Sequence, residues 1–292
     1  MKLIDLIGNT PLVEITRIHS NPKVRIYGKL EGQNPGGSVK DRAAYGMITE
    51  ALKRGDIKPG DKLVEATSGN TGIALAMIAQ SVGLHMTLLM PENSTRERVL
   101  AMRAYGAEVI LTPAQKTIEF SRELAEDMAN NQGYFMLNQF ANADNYGMHY
   151  QSTGPEIWKD TNGEVTHFVS AMGTTGTIMG VSKYLKEKNP NVQIVGTQPT
   201  EGSSIPGIRR WSPEFLPKIF DPSRVDQVID VSEDQARSMA RRLSKEEAIL
   251  SGMSSGGALT AALQVAESID SGVIVFIVCD TGERYLSSGL FD

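Results

Sequence analysis

Short apolar runs alternate with longer segments of helical composition along this sequence. Between residues 62 and 131, three strand-like runs are each followed by a helix-like segment, in the order 62–66, 71–82, 86–90, 96–105, 108–111 and 116–131. Strands and helices that alternate in this way form βαβ units, in which helices cover the faces of a parallel sheet. The first half of the chain is therefore predicted to contain a parallel sheet.

The alternation returns in the second half of the chain. A strand-like run at 167–170 leads through a glycine loop into a helical segment at 178–189, and 192–195 follows as a strand. The continuous apolar run 273–278 is typical of a strand buried on both faces. We predict an α/β fold of two doubly wound lobes with an active-site cleft between them, and ligands beyond the carboxyl ends of the strands.

The composition argues against several classes of protein. The 292 residues have a net charge of −5, whereas nucleic-acid binding requires basic surfaces. No apolar run approaches the roughly 18 residues of a membrane span, and the N-terminus lacks the apolar stretch of a signal peptide. Cys279 is the single cysteine, and no Cys/His cluster suggests a metal site. We expect a cytoplasmic protein that binds no metal, nucleic acid or membrane.

Small polar residues follow the strand at 62–66. They are Thr67, Ser68, Gly69, Asn70 and Thr71, and a helix follows them. Hydroxyls, backbone N–H groups and the helix dipole attract an anion at such a position. A capping turn is the simpler alternative, but a cap requires one residue of this type and here four are clustered. We predict that the loop binds a ligand.

A second loop of this kind follows the strand at 167–170. It consists of Gly173, Thr174, Thr175, Gly176 and Thr177. Its glycines allow close approach of the backbone, and its threonines add hydroxyl donors, as in a phosphate cradle. The loop matches neither the dinucleotide G-x-G-x-x-G motif nor the Walker motif, so a nucleotide is disfavoured. A tight turn remains the alternative for this loop alone.

Two further segments precede predicted helices. Lys40 ends the run Asn-Pro-Gly-Gly-Ser-Val-Lys before a helix at 42–54, and Ser254 stands in Gly-Met-Ser-Ser-Gly-Gly before a helix at 258–266. Most of the 29 lysines and arginines are expected to be solvated surface charges. Each of the two segments, taken alone, is consistent with an ordinary helix start.

Together these segments resemble the fold-type-II family of pyridoxal-phosphate enzymes, and among them the cysteine synthases. The resemblance covers residues 7–287 and includes Thr-Gly-Pro-Glu-Ile-Trp at 153–158. It implies that Lys40 forms the Schiff base with pyridoxal 5'-phosphate and that Asn70 binds the ring hydroxyl of the cofactor. It also implies that residues 173–177 bind the phosphate and that Ser254 faces the pyridine nitrogen.

The resemblance also implies the substrates and the reaction. Residues 67–71, together with Gln139, would bind the carboxylate of O-acetyl-L-serine, and sulfide would replace acetate to give L-cysteine. Residues 202–211 resemble the B-type enzymes of the family, which are associated with thiosulfate as an alternative donor that gives S-sulfocysteine. Because thiosulfate is a dianion and a guanidinium stays charged, we assign at least one of Arg209 and Arg210, with Arg210 favoured, to the sulfur donor. Solvated surface charge remains the alternative for both arginines.

Several alternatives stay open. They are an O-phosphoserine sulfhydrylase, an enzyme similar to cystathionine β-synthase, and a regulatory homologue without turnover. The last is disfavoured because both Lys40 and the phosphate loop are present. The family further implies a smaller, mobile domain at 41–142, a larger domain at 1–40 and 143–292 that holds the cofactor, and a homodimer.

Overall fold

The computed structural model describes residues 1–67 and 69–292. The strands within these residues are β1 (Leu12–Ile15), β2 (Val24–Leu30), β3 (Lys62–Ala66), β4 (His85–Pro91), β5 (Glu108–Thr112), β6 (Phe135–Met136), β7 (His167–Ala171), β8 (Gln193–Pro199), β9 (Gln227–Val231) and β10 (Gly272–Val278). The α-helices are α1 (Lys40–Arg54), α2 (Asn70–Ser81), α3 (Arg96–Ala104), α4 (Thr117–Asn131), α5 (Ala143–Gln151), α6 (Thr153–Asp160), α7 (Gly176–Lys188), α8 (Glu233–Glu247) and α9 (Met253–Ser268).

Two compact units divide the chain. The first consists of Met1–Ile7 and Lys40–Asn145, and the second consists of Gly8–Val39 and Tyr146–Asp292. Each unit has its own sheet and its own hydrophobic cores. The predicted α/β class with parallel sheets is confirmed.

The first unit contains a parallel sheet with the strand order β5-β4-β3-β6. On one face Leu63 packs in a core with residues of α1 and α2, and on the other face Val64 packs against α4. This alternation follows from the pleat, which turns successive side chains to opposite faces. Because β4 and β6 flank β3 on opposite sides, the loops that follow β3 and β6 adjoin a topological switch point, where ligands bind in such sheets.

The second unit contains a six-stranded sheet with the order β1-β2-β10-β7-β8-β9. The pairing is parallel throughout except between β1 and β2. Val275 of β10 pairs with Tyr27 on one side and with Phe168 on the other, and the residues from 273 to 278 are buried. The prediction of a doubly buried strand is therefore confirmed. The switch point of this sheet lies between β10 and β7.

The close packing of α9 against α8 fixes the position of the first turn of α9 in the second unit. Ser232 caps α8 by a capping box with Gln235, and Ala236 and Ala240 on the same helix are fully buried. Gly256 of α9 lies against these two alanines so closely that a Cβ would collide with the backbone of α8. The glycine thus permits the close approach of α9, which has Ser254 in its first turn.

Within the described ranges, 1–67 and 69–292, we find no helix with the length and apolarity that a membrane span requires.

Candidate active site

Lys40 is the first residue of α1, so the helix begins at Lys40 rather than at residue 42. The chain that leads to it is well fixed, because the backbone N–H of Val39 donates to the carbonyl of Cys279 at 2.8 Å. The Lys40 side chain is half-buried, whereas Asp41 and Arg42 beside it are fully buried. The structure therefore places the candidate lysine at a helix start, as its position in the sequence predicted.

The candidate carboxylate loop lies at the carboxyl ends of β3 and β6. Gly69 precedes α2 as its N-cap, and Asn70 is the first residue of that helix. The Thr71 hydroxyl donates to Oε1 of Gln139 at 2.9 Å, and both side chains are buried. The backbone N–H of Gly69 lies 3.3 Å from the Thr67 hydroxyl. Five of the predicted residues thus come together, while Ser68 lies outside the described residues.

A buried carboxyl group holds the segment that contains Gln139. Glu65 is 1% exposed, and its Oε2 accepts a hydrogen bond of 2.9 Å from the backbone N–H of Asn138. Burial raises the pKa of Glu65 to about 7, while the backbone N–H groups of Asn138 and Gln139, and then the charge of Arg122, lower it. Asn138 has a φ of 55°, in the left-handed region that asparagine tolerates better than most residues.

The glycine and threonine loop follows β7 in the second unit. The predicted helix begins at Gly176 rather than at residue 178, and Thr175 is its N-cap with a φ of 69°. The backbone N–H groups at the start of a helix lack intrahelical partners and can bind an anion. The Thr177 hydroxyl lies 3.3 Å from Nε2 of His149, and Nδ1 of this buried histidine lies 2.8 Å from the Thr153 hydroxyl.

Residues 202–211 contact the start of this loop and the residue before it. The Trp211 indole N–H donates to the carbonyl of Gly173 at 2.9 Å, and the Arg209 backbone N–H donates to the carbonyl of Met172 at 2.9 Å. A Cβ on Gly173 would lie only 2.7 Å from the carbonyl oxygen of Gly207, so the two backbones are in close contact.

The same glycine approaches Ser254. A Cβ on Gly207 would lie 3.6 Å from the Ser254 hydroxyl oxygen, which is buried in the first turn of α9. Asp280 fixes the start of that helix, because its carboxylate accepts hydrogen bonds from the Gly252 N–H at 3.1 Å and the Tyr285 hydroxyl at 2.5 Å. The structure thus brings Ser254 next to residues 202–211, which contact the candidate phosphate loop.

Arg210 has a different environment. Its guanidinium donates to the carboxylate of Asp230 at 2.8 Å and to the carbonyl of Pro199 at 3.1 Å, and the side chain is 42% exposed. These bonds attach it to β9 and to the end of β8, and no hydrogen bond in the described part of the chain joins it to the other candidate residues. Its assignment to the sulfur donor stays a prediction.

Comparison with known proteins identifies the family. Residues 3–280 match the family model described as "Pyridoxal-phosphate dependent enzyme". The chain belongs to this family. A cysteine synthase B of Pseudomonas aeruginosa is 58% identical over 290 residues, which cover 99% of this chain and 97% of that protein. A cysteine synthase B of Escherichia coli is 57% identical over 285 residues, which cover 98% and 94%. The resemblance to the cysteine synthases is thereby confirmed.

Solved structures of pyridoxal-phosphate dependent enzymes have the same fold. An O-ureido-L-serine synthase superposes with a TM-score of 0.94 at 38% identity, with 100% of this chain and 95% of that chain covered. A cysteine synthase from Entamoeba histolytica superposes with a TM-score of 0.93 at 40% identity, with 99% and 90% covered. The family uses pyridoxal phosphate, so this chain is a pyridoxal-phosphate-dependent enzyme.

The residues of the second unit fit the phosphate of this cofactor. The Thr175 hydroxyl is buried and has no hydrogen-bond partner among the described residues. Such a group costs free energy in a native protein unless a ligand or water satisfies it. The hydroxyl stands at the N-cap of the 13-residue helix α7, beside backbone N–H groups that favour an anion. A phosphate at this loop would satisfy both.

Two residues that contribute to this geometry were not assigned from the sequence. Glu65 stands in a run that reads simply as a strand, and its partner Asn138 is 73 residues away. His149 contacts the phosphate loop through Thr177, which is 28 residues further along the chain. The one signal for Glu65 in the sequence was its charge near the end of a predicted strand, next to a polar loop.

Proposed function

We propose that this pyridoxal-phosphate dependent enzyme replaces the acetate of O-acetyl-L-serine by sulfide and so makes L-cysteine. The observation that carries the proposal is the 58% and 57% identity, over nearly the whole chain, to two proteins named cysteine synthase B. The candidate lysine, carboxylate loop and phosphate loop are all present and stand at the starts of helices.

The second unit would hold the cofactor. Gly173, Thr174, Thr175, Gly176 and Thr177 would bind its phosphate through backbone N–H and hydroxyl groups. Ser254 would bond its ring nitrogen, and Asn70 of the first unit its ring hydroxyl. Lys40 would link to it covalently. When bound, the cofactor supplies an electron sink for the negative charge that develops at the substrate Cα.

The first unit would bind and orient the substrate. Thr67, Ser68, Gly69, Asn70 and Thr71 offer hydroxyl and N–H donors to the substrate carboxylate at the start of α2, and Gln139 adds its amide. The Lys40 amine, once the substrate's amino group has displaced it from the cofactor, would remove the proton from Cα as acetate leaves Cβ. It would return a proton to Cα after sulfide has added to Cβ. The donors at α2 hold Cα within reach of the Lys40 amine during both transfers.

Thiosulfate is a second proposed donor, and Arg210 is the residue proposed to admit or orient it. The ion pair with Asp230 uses one nitrogen of the guanidinium, and a guanidinium carries five N–H donors. The half-exposed side chain thus retains donors for a dianion at the surface of the second unit.

Three further expectations belong to the proposal. The enzyme works in the cytoplasm as a homodimer, and it has a mobile smaller domain at 41–142 and a larger domain at 1–40 and 143–292. Its partners are small-molecule substrates.

A steady-state assay tests the proposed reaction. Purified holoenzyme is supplied with sulfide and with O-acetyl-L-serine, O-phospho-L-serine or L-serine, and the cysteine formed is measured by chromatography. We expect the highest kcat/KM with O-acetyl-L-serine and no turnover by Lys40→Ala. A preference for O-phosphoserine or serine would assign one of the alternative reactions, and no product from any of the three would contradict catalysis of this type.

A further inference from the structure

Glu65 is a buried carboxyl group that the mechanism above does not use. It is buried near the end of β3, 1% exposed, on the face of the sheet opposite to that of Val64 and Ala66. Placing an ionisable group in such surroundings costs several kcal/mol unless hydrogen bonds compensate. We therefore expect an ionisable side chain at this position only where hydrogen-bond donors stabilise its carboxylate.

The donor is the backbone N–H of Asn138. Oε2 of Glu65 accepts its hydrogen bond at 2.9 Å, and the neighbouring backbone N–H of Gln139 also favours the ionised carboxylate. The backbone turns sharply here, since Asn138 adopts a φ of 55°. Neither N–H takes part in the pairing between β3 and β6, which ends at Met136. At this turn the Glu65 carboxylate accepts a backbone hydrogen bond that a neighbouring strand would otherwise accept.

The turn determines where the Gln139 side chain points. Oε1 of Gln139 accepts from the Thr71 hydroxyl, so the Nε2 N–H groups are the part of the amide that can bind a carboxylate. The Gln139 carbonyl accepts from Nδ2 of Asn145 at 2.8 Å. On the next residue, the Phe140 ring lies 5.0 Å below the guanidinium carbon of Arg122. Three contacts therefore hold this segment: one at the Gln139 side chain, one at the Gln139 carbonyl and one at the Phe140 ring.

We propose that Glu65 is a positioning residue: its carboxylate fixes the backbone of Asn138 and Gln139 so that the Gln139 amide meets the substrate carboxylate. The proposal rests on the proposed function, because Gln139 is assigned to the substrate there. Glu65 does not touch the substrate, and it acts through the loop that follows β6.

Glu65→Gln tests this with little change in volume. Its amide is only a neutral acceptor for the Asn138 N–H, and its NH₂ group adds a donor where the carboxylate has none. We expect kcat/KM for O-acetyl-L-serine to fall about ten-fold, the loss of roughly one hydrogen bond to a charged group. The value for sulfide should fall much less, because sulfide reacts with a substrate whose carboxylate is already bound, whereas kcat/KM for O-acetyl-L-serine includes the capture of that carboxylate.

A double-mutant cycle separates positioning from general damage. If Glu65 acts through Gln139, then Glu65→Gln should have little effect on kcat/KM for O-acetyl-L-serine in a Gln139→Ala background. Thr87→Val is the matched control, since it removes a partly buried hydrogen bond from the buried Thr87 of the neighbouring strand β4 to Glu108. This control should leave both kcat/KM values unchanged.

Hydrogen exchange of the holoenzyme gives a readout that does not depend on turnover. Backbone amides in a peptide covering residues 137–145 should exchange about ten-fold faster in Glu65→Gln than in the parent or in Thr87→Val. If Glu65→Gln does not fold, Glu65→Asp is measured, whose shorter side chain draws the carboxylate away from the Asn138 N–H. Glu65→Asp should likewise lower kcat/KM for O-acetyl-L-serine more than for sulfide, and it should speed the exchange of residues 137–145.

Equal falls for both substrates, additive effects with Gln139→Ala, or unchanged exchange at 137–145 would each overturn the positioning role. A parent enzyme that makes no cysteine from O-acetyl-L-serine would instead overturn the proposed function. In that event the exchange measurement still decides whether Glu65 holds the Asn138–Gln139 backbone, so the two failures are distinguishable.

Discussion

The Trp211 indole N–H donates a hydrogen bond to the carbonyl oxygen of Gly173, over 2.9 Å. This bond joins two segments that are 38 residues apart in the sequence. It turns the Gly173 carbonyl toward Trp211, and a carbonyl so engaged is kept away from the phosphate that this loop is proposed to bind. We therefore expect the tryptophan to support the proposed phosphate loop.

Trp211→Phe should weaken binding of pyridoxal phosphate about five-fold, because a neutral hydrogen bond contributes about 1 kcal/mol. Titration of the apoprotein with the cofactor, followed by absorbance, measures the dissociation constant. Trp158→Phe is the control, since this half-buried ring packs against Gly163 in the same unit. Equal dissociation constants for Trp211→Phe and the parent would contradict the supporting role.

The elements with the strongest apolar patterns were predicted best. The predicted strand at 62–66 coincides with β3, and the continuous apolar run at 273–278 lies within β10, which is buried on both faces of its sheet. The helices α1 and α7 begin at Lys40 and Gly176, earlier than predicted. Glycine and threonine favour turns, yet α7 includes Gly176 and Thr177 in its first turn.

The buried charges could not be predicted. Lys29 has no exposed side-chain surface, and its partners Glu156 and Asp160 lie on another element far along the chain. Glu65 is joined to Asn138 in the same way. Local patterns assign charged residues in strands to the solvent side, and only the assembled fold shows which of them have partners.

The unpartnered Thr175 hydroxyl leads to a second expectation. Thr175→Ala should weaken binding of pyridoxal phosphate about ten-fold or more, since it removes a donor to a charged phosphate. The apoprotein should lose no stability, because the hydroxyl has no partner among the described residues. Cofactor titration and urea unfolding of the apoprotein measure the two effects. Thr175→Ser keeps the hydroxyl and should bind like the parent, and weak binding by the serine variant would refute the assignment.

The ion cluster around Lys29 is expected to stabilise the second unit. Its ammonium donates to the Thr10 carbonyl at 2.6 Å and pairs with Glu156 at 2.9 Å and Asp160 at 3.1 Å. Lys29→Met leaves these carboxylates without their buried cation, and the free energy of unfolding should fall by about 3–5 kcal/mol.

Urea unfolding of Lys29→Met and of Lys186→Met provides the comparison. Lys186 also binds a carbonyl and a carboxylate, those of Pro190 and Asp226, but in contact with solvent. Its loss should cost less than about 1 kcal/mol. Similar losses for the two variants would show that burial of Lys29 contributes nothing.

Glu65 should give the enzyme a pH-dependent stability. Its pKa is raised to about 7 in the folded protein, mainly by burial, whereas an unfolded chain has the ordinary value near 4.5. Between these values the folded protein binds the proton more tightly, so this group's contribution falls as the pH rises from about 4.5 to 7. The total change is on the order of 3 kcal/mol.

Urea unfolding at pH 4.5 and at pH 8 measures this effect. The difference in unfolding free energy between the parent and Glu65→Gln should shift in favour of the variant at the higher pH. A difference that does not change with pH would mean that Glu65 is ionised in the folded protein throughout this range.

The assignment of Lys40 supports the whole account, and peptide mapping after borohydride reduction tests it most directly. Reduction fixes the cofactor to the lysine that carries it, and mass spectrometry of the digested holoenzyme identifies that residue. We expect one modified peptide containing Lys40, with no modified peptide and no cysteine formation in Lys40→Ala. A cofactor found on any other lysine of the parent enzyme would contradict it.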